Sequence, residues 1–241
     1  LPQVPTAHLE PIADVADTAL QTRFAAANAE AIDALNETLA WLDEQDSDED
    51  FALGEERFLT MLRMSEGIEI TLEELIAAGE ADLQRNLAAL EVACEFYAPG
   101  ASVRDCVART QANKPEGGPV EGAREQLSRL REFLIQADIV SIPGTEEALV
   151  NEAPPYRRTN FAYITIPGPF EENLPSTYYI APPDPTWSEE DQQNYLPGRK
   201  DLLYTSVHEV WPGHFLQFLH ANRADSTFGQ LFFTYSQVEG W

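Results

Sequence analysis

The chain has 241 residues, of which 41 are acidic and 15 basic, and its formal net charge at pH 7 is −26. A charge of this sign and size repels nucleic acids and anionic membrane surfaces, so we expect no nucleic-acid partner. No apolar run approaches the roughly 20 residues that a membrane-spanning helix needs, so we also expect no membrane span.

Within residues 1–138 the apolar residues are spaced as in α-helices, so we predict a helical region. Apolar residues recur at three- and four-residue steps over residues 9–42, which predicts one long amphipathic helix or two in series. The acidic run at residues 43–50 lacks the glycine and terminal glutamate of a calcium loop, and we predict a solvated linker. A short helix is predicted for residues 54–64.

The clearest helix start is a capping box, in which Thr71 and Glu74 would satisfy each other's backbone amides. An apolar stripe continues from it to Pro99, and we predict that this stripe is buried in the core. Two further helices are predicted, at residues 102–111 and 120–137. The stripe comprises Leu72, Leu75, Ile76, Gly79, Leu83, Leu87, Leu90, Cys94 and Tyr97.

The only two cysteines, Cys94 and Cys106, lie twelve residues apart on either side of a Pro-Gly turn. This is not the spacing of a zinc site. A disulfide between two helix ends and a pair of buried thiols are the two alternatives, and general cysteine usage favours the thiols.

The composition changes at about Asp138, and ten of the seventeen prolines lie between residues 143 and 197. Strand signals at residues 161–166 and 177–180 predict a small sheet bounded by prolines. We therefore divide the chain into a helical region, 1–138, and a region of sheet and motif helices, 139–241, within one continuous fold. The fold class is mainly α, with a small β-sheet before the motif helix.

The strongest chemical signal is a pair of histidines, His208 and His214, with Glu209 beside the first. Neutral imidazoles bind zinc, and a neighbouring carboxylate can take a proton from water. On a regular helix, a spacing of six residues would put the two rings about 120° and about 9 Å apart, too far for one ion. Pro212 and Gly213 lie between them, and we predict that they break the helix so that the rings meet.

The pattern His-Glu-x-x-Pro-Gly-His-x-x-Gln, which starts at His208 and is followed by Glu-Gly-Trp at residues 239–241, resembles the DUF885 family. Weaker similarity extends through residues 53–58 and 71–75. Members of this family look like bacterial zinc metallopeptidases of the gluzincin type. The resemblance implies a multi-helix gluzincin-like fold and a longer protein, of which we expect this chain to be a fragment, truncated on the C-terminal side of the cleft.

The resemblance also implies the roles of the site residues. His208, His214 and Glu239 would be the ligands of Zn2+, and Glu209 would be the general base. The implied function is zinc-dependent hydrolysis of peptide bonds, with a peptide as substrate. The alternative is a non-catalytic helical protein that binds peptides or serves as a scaffold and retains the metal motif. The sequence is compatible with a cytoplasmic and with an exported protein. It leaves open the oligomeric state and whether the fragment alone is active.

Three more side chains are candidates for contact with substrate: Tyr178, Tyr179 and Gln217. Tyrosine hydroxyls can stabilise an oxyanion, although we expect the main donor in the C-terminal part of a longer protein. A glutamine simply exposed to solvent is the alternative for Gln217. The predicted sheet either lines the cleft, so that a substrate backbone can pair with it, or only covers the helical core.

Overall fold

A computed structural model describes residues 16–46 and 51–240. Residues 9–15 of the first predicted helix, residues 47–50 of the acidic run and Trp241 of the Glu-Gly-Trp element lie outside the described residues. The chain divides into two compact units, Leu1–Leu53 with Pro154–Arg157, and Gly54–Ala153 with Arg158–Trp241. The composition change at residue 138 falls inside the second unit. The described residues are mainly helical with a small sheet, which confirms the predicted fold class.

The first unit contains one long helix, α1, Thr18–Asp43. Asp17 begins it, because its carboxylate accepts hydrogen bonds from the amides of Ala19 and Leu20 at 2.8 and 3.2 Å. The sequence predicted either one long helix or two in series, and the described part forms a single helix. A 3-10 turn, Pro155–Arg157, belongs to the same unit.

The second unit begins with α2, Gly54–Met61, which continues directly into a π-helical turn, Leu62–Glu66. The turn ends at Gly67, which has a left-handed φ of 68° that glycine adopts without a steric penalty. The sequence predicted the short helix but not its wider last turn. The π-turn gives Glu66 its position at the end of this segment.

Helix α3, Leu72–Tyr97, starts at the predicted capping box, where the amides of Thr71 and Glu74 each find a side-chain oxygen. The prediction that its stripe is core is wrong, because Ile76 and Leu83 are 52% and 55% exposed and only Cys94 is buried within this helix. Periodicity identifies the face that can be buried, but it does not supply the element that would cover it. Among the described residues the main packing partner of α3 is α4, Val103–Ala112.

Cys94 and Cys106 form a disulfide across the turn between α3 and α4, so the expectation of two thiols is wrong. The turn brings the ends of the two helices together and leaves the two Cα atoms 5.7 Å apart, within the usual range for a disulfide. Both cysteines are buried and pack with Ala98 in a small core of their own. Spacing alone could not show how closely the turn would bring the helices together.

The main core lies between α5, Gly118–Ala137, the sheet and the motif helices. The sheet has the order β1-β3-β2, with β1 parallel and β2 antiparallel to the central strand. Its strands are β1, Leu149–Glu152, β2, Ala162–Thr165, and β3, Thr177–Ile180. The sequence predicted β2 and β3 and missed β1. Arg124 of α5 donates two hydrogen bonds to the carbonyl of Val150, which covers the outer edge of β1.

The remaining helices carry the motif. They are α6, Glu189–Tyr195, α7, Arg199–Glu209, α8, His214–Ala221, α9, Thr227–Leu231, and α10, Tyr235–Gly240. Helix α7 packs on α5 and β2. Its Leu202, together with Phe215 and Leu216 of α8, is wholly buried in the main core. The motif helices therefore contribute buried residues to the main core of the unit.

The described helices are each too short or too polar to cross a lipid bilayer, in agreement with the expectation from the sequence.

Candidate metal centre

The helix breaks between His208 and His214, as the sequence predicted. Helix α7 ends at Glu209 and α8 begins at His214, and the peptide bond between Trp211 and Pro212 in the intervening turn is cis. The imidazole rings of the two histidines lie with their centroids 4.5 Å apart and nearly perpendicular. The break thus brings together two rings that a regular helix would point in different directions.

Gly213 permits this turn because the backbone passes very close to the end of α7. Its amide donates to the carbonyl of Val207 at 2.9 Å. A Cβ atom at this position would lie 1.6 Å from the carbonyl oxygen of His208 and 2.5 Å from that of Val207. No side chain fits, so the close approach itself requires glycine.

Apolar burial holds the turn in place. Val210 and Trp211 within the turn, and Phe215 and Leu216 after it, are each at most 2% exposed. The indole of Trp211 packs edge-on against Phe215 with 5.0 Å between ring centroids, and the guanidinium of Arg131 lies 6.0 Å from the centre of the indole. Buried residues within and after the turn therefore fix the backbone that carries the two histidines.

Helix α10 brings Glu239 to the same point. Nε2 of His208 lies 3.6 Å from Oε2 of Glu239, and Nε2 of His214 lies 3.9 Å from Oε1. One ligand atom from each of the three residues can be chosen so that all lie within 4.8 Å of one another. A tetrahedral ion with bonds of about 2.1 Å spaces its donor atoms about 3.4 Å apart, so a small closure would fit this group to zinc. Two imidazoles and one carboxylate are also the donors that zinc prefers.

Burial favours the ligand form of His214. Desolvation lowers the pKa of this largely buried imidazole, and the neighbouring His208 acts in the same direction, while the Glu239 carboxylate opposes them. The neutral imidazole is the form that binds a metal ion.

Glu209 lies beside the three converging residues, on the wall of the same cleft, and only 7% of it is exposed. Burial raises the pKa of its carboxyl group, and Glu239 adds to this effect. The neighbouring His208 imidazole and the backbone amide of Ile164 oppose the rise. Strand β2 therefore acts on this carboxylate through the backbone amide of Ile164.

The cleft has a volume of about 680 Å³ and is lined by β2 on one side and by the motif helices on the other. The amide of Ala181 donates to the carbonyl of Phe161 at 2.7 Å, so the backbone groups of Phe161 face β3. In an antiparallel pair the next residue faces the opposite way, which turns the backbone groups of Ala162 and Ile164 away from β3. Both residues line the cleft, so one edge of the sheet borders the converging side chains.

The other three predicted site residues lie elsewhere. Tyr178 is wholly buried on β3, and burial raises the pKa of its hydroxyl, so it offers no surface to a substrate. The ring of Tyr179 packs against that of Tyr163, with 5.2 Å between centroids. Gln217 donates from Nε2 to the carbonyl of Gln237 at 3.3 Å, and so links α8 to α10.

Two residues that the sequence did not single out contact this site or its supports. One is Ile164, whose backbone amide acts to lower the pKa of Glu209. The other is Glu66, whose carboxylate accepts hydrogen bonds from the amides of Tyr235 and Ser236 at the start of α10. Glu66 lies 170 residues before Ser236. No local pattern could connect them.

Comparison with known proteins places these features in context. A family described as "Bacterial protein of unknown function (DUF885)" matches residues 2–241. A comparison with curated proteins finds no significant match. The fold is similar to the solved structure of a candidate lipoprotein of unknown function from Shewanella oneidensis, with a TM-score of 0.65 and 24% identity over 97% of this chain. This chain spans 45% of that protein's length, and the likeness extends to the fold alone.

Proposed function

We propose, for a chain that belongs to the DUF885 family of bacterial proteins of unknown function, that the intact protein is a zinc-dependent peptidase. The observation that carries the proposal is the convergence of His208, His214 and Glu239, whose ligand atoms lie within 4.8 Å of one another. Their donor set fits zinc, and an open cleft with a further carboxylate adjoins them. A binding site alone would not need that additional buried carboxylate.

His208, His214 and Glu239 would hold the ion, and three protein ligands are the number found in catalytic rather than structural zinc sites. When bound, zinc supplies a Lewis acid that polarises the carbonyl of the scissile peptide bond and makes water more acidic. The largely buried His214 lies deeper than the exposed His208, with side-chain exposures of 14% and 49%. The pair thus offers one protected ligand and one that faces the cleft opening.

Glu209 would act as the general base. Its carboxylate takes a proton from the attacking water molecule and returns it to the nitrogen of the leaving amine as the C–N bond breaks. The burial of Glu209 supports this role, because packing around it limits the rotation of a side chain that must meet water within the cleft. Its position beside His208 in the sequence ties base and ligand to the same helix end.

The edge of β2 would hold the substrate. Ala162 lines the cleft and directs its backbone N–H and C=O away from β3. An extended peptide can add to such an edge as a further strand and so align its backbone beside the base. The proposal therefore assigns peptides in an extended conformation as the substrate class.

The test measures metal content and peptide hydrolysis of the intact protein. We expect one zinc per protein, detected by mass spectrometry, and an anomalous-scattering peak between His208, His214 and Glu239. The substitution Glu209→Gln is expected to retain the zinc and to reduce hydrolysis about 10²- to 10⁴-fold. Glu69→Gln is a matched control, because it removes the charge of an exposed glutamate outside the cleft.

Each outcome has a distinct meaning. Hydrolysis that survives Glu209→Gln would reject the assigned base, and wild-type protein without metal would reject the proposed function. Peptide that is bound in the presence of zinc but never cleaved would favour the non-catalytic binding protein instead.

A further inference from the structure

Helix α10 carries a candidate ligand, yet burial does not hold it. Within Tyr235–Gly240 no residue is buried, although Val238 is partly covered. An isolated helix of six residues is not stable in water, because too few hydrogen bonds offset the cost of nucleation. Polar contacts with the rest of the unit must therefore contribute much of what positions α10.

The main contact of this kind comes from Glu66. Its Oε1 accepts from the amide of Tyr235 at 3.3 Å, and its Oε2 accepts from the amide of Ser236 at 3.0 Å and from the Ser236 hydroxyl. The first amides of a helix have no partner inside it, and a negative charge at this end is favoured by the helix dipole. Both oxygens of one carboxylate thus bind the first turn of α10.

The chain holds Glu66 in position for this contact. The residue ends the π-turn that follows α2, and Gly67 caps this turn with a left-handed conformation and an amide that donates to the carbonyl of Leu62. The hydroxyl of Ser65 donates to the carbonyl of Met61 at 2.8 Å, which reinforces the turn. On another side of α10, Gln217 of α8 donates to the carbonyl of Gln237. The segment of residues 62–67 is therefore a support rather than a loose loop.

We propose that Glu66 is a positioning residue for the metal centre. By capping α10 it sets the carboxylate of Glu239 against His208 and His214, and so determines how well the three residues hold an ion. The inference rests on the proposed function for the identity of the ion. It adds a support for the ligand that lies in a distant part of the sequence.

The geometry explains why the cap would affect the ligand. Glu239 lies three residues after Ser236, slightly less than one helical turn, so a movement of the first turn is transmitted to it. Its oxygens are 3.6 and 3.9 Å from the imidazole nitrogens, and must come within bonds of about 2.0–2.2 Å of a shared ion. An α10 free to move would spend part of its time with this carboxylate out of reach.

The experiment titrates the metal-free intact protein with Co2+, whose visible absorbance reports on its ligands, and then measures zinc affinity by competition with a chelator. We expect Glu66→Ala to weaken metal binding about 10- to 100-fold, as residues that orient metal ligands commonly do. Glu66→Gln retains an acceptor oxygen and the side-chain length, so it is expected to recover part of this loss. Both variants are checked for folding by thermal melting.

Glu74→Ala is the matched control. Glu74 accepts a hydrogen bond from the amide of Thr71 and caps α3, which carries no candidate ligand. Removal of this cap costs a similar kind of contact in the same unit, so a general loss of stability would appear in both variants. We expect the zinc affinity of Glu74→Ala to stay within about twofold of the wild type. Equal affinities for Glu66→Ala and Glu74→Ala would overturn the proposal.

Hydrogen exchange in the metal-free protein separates this inference from the proposed function. We expect the amides of Tyr235 and Ser236 to exchange faster in Glu66→Ala than in the wild type, while exchange in α8 stays unchanged. Unchanged exchange at these two amides would show that Glu66 does not hold α10. A wild type that binds no metal would reject the proposed function and the metal-affinity part of this inference, whatever the exchange shows.

Discussion

The two halves of the candidate metal centre are built in opposite ways. His208 and His214 flank a turn in which Val210 and Trp211 are at most 2% exposed, and close backbone contacts at Gly213 define that turn. Glu239 is on a six-residue helix without a buried residue, and that helix is held by hydrogen bonds that it donates to Glu66 and by one that it accepts from Gln217. The first half depends on the core and the second on polar contacts at the surface.

This difference predicts how each half responds to damage. A change in the imidazole half should disturb the core and the site together, because the same residues serve both. A change in the carboxylate half should affect the site alone, since elements with few buried contacts move at little cost to the global fold. The following substitutions and one pH titration test this separation.

The largest effect is expected for Gly213→Ala. Its Cβ would lie 1.6 Å from the carbonyl oxygen of His208, so the turn must rearrange or unfold. We expect a loss of at least about 3 kcal/mol in the free energy of unfolding, measured by denaturant titration, and loss of detectable zinc binding. Wild-type stability and affinity in this variant would refute the role assigned to the turn.

Gly79→Ala is the control for that substitution. A Cβ at Gly79 would have no atom within 4 Å, and the residue lies inside α3. Alanine is favoured over glycine in a helix by about 1 kcal/mol, so this variant should be as stable as the wild type or slightly more so. Its zinc affinity should be unchanged.

Glu239→Gln tests the carboxylate half. We expect zinc affinity to fall at least about 100-fold, because the substitution removes the only negatively charged member of the candidate ligand set. The unfolding free energy of the metal-free protein should change by less than about 0.5 kcal/mol, as for other surface substitutions. Chelator competition measures the first quantity and denaturant titration the second. A large loss of metal-free stability would contradict the proposed separation of the two halves.

The smallest expected effect is the response of the α10 cap to acid. Hydrogen bonds from Ser236 lower the pKa of Glu66 below its ordinary value of 4.5. A carboxylate with a depressed pKa in the folded state stabilises the cap fully above pH 4.5 and loses this effect as the pH falls through the lower folded value. The amide chemical shift of Ser236, followed by NMR in the metal-free protein, should therefore titrate with a midpoint below 4.5. A midpoint at or above 4.5 would indicate that the hydrogen bonds do not form in solution.

Local sequence predicted the imidazole half well. The spacing of His208 and His214 is incompatible with one ion on a straight helix, and the intervening Pro212 and Gly213 are the residues that break helices. The capping box at Thr71 was likewise predictable, because short-range hydrogen bonding decides it. The same reasoning failed for α3, whose exposed Ile76 and Leu83 belong to a stripe with a helical period but no described cover.

The sequence could not predict how separate segments pack together, because local spacing does not specify those contacts. The disulfide of Cys94 and Cys106 depends on how closely one turn brings two helix ends together. The burial of Tyr178 depends on which face of β3 meets the helices. Neither quantity is encoded in spacing along the chain, since each is set by packing after the elements have formed.

The sequence by itself determined the mainly helical class, the two strands beside the motif and the break that separates His208 from His214, because each follows from interactions within a few residues. Only the tertiary structure decided that Glu239 reaches those histidines, that Ile164 and Glu209 line one cleft and that Glu66 caps α10. These contacts join segments up to 170 residues apart, and they form only when packing brings the segments together.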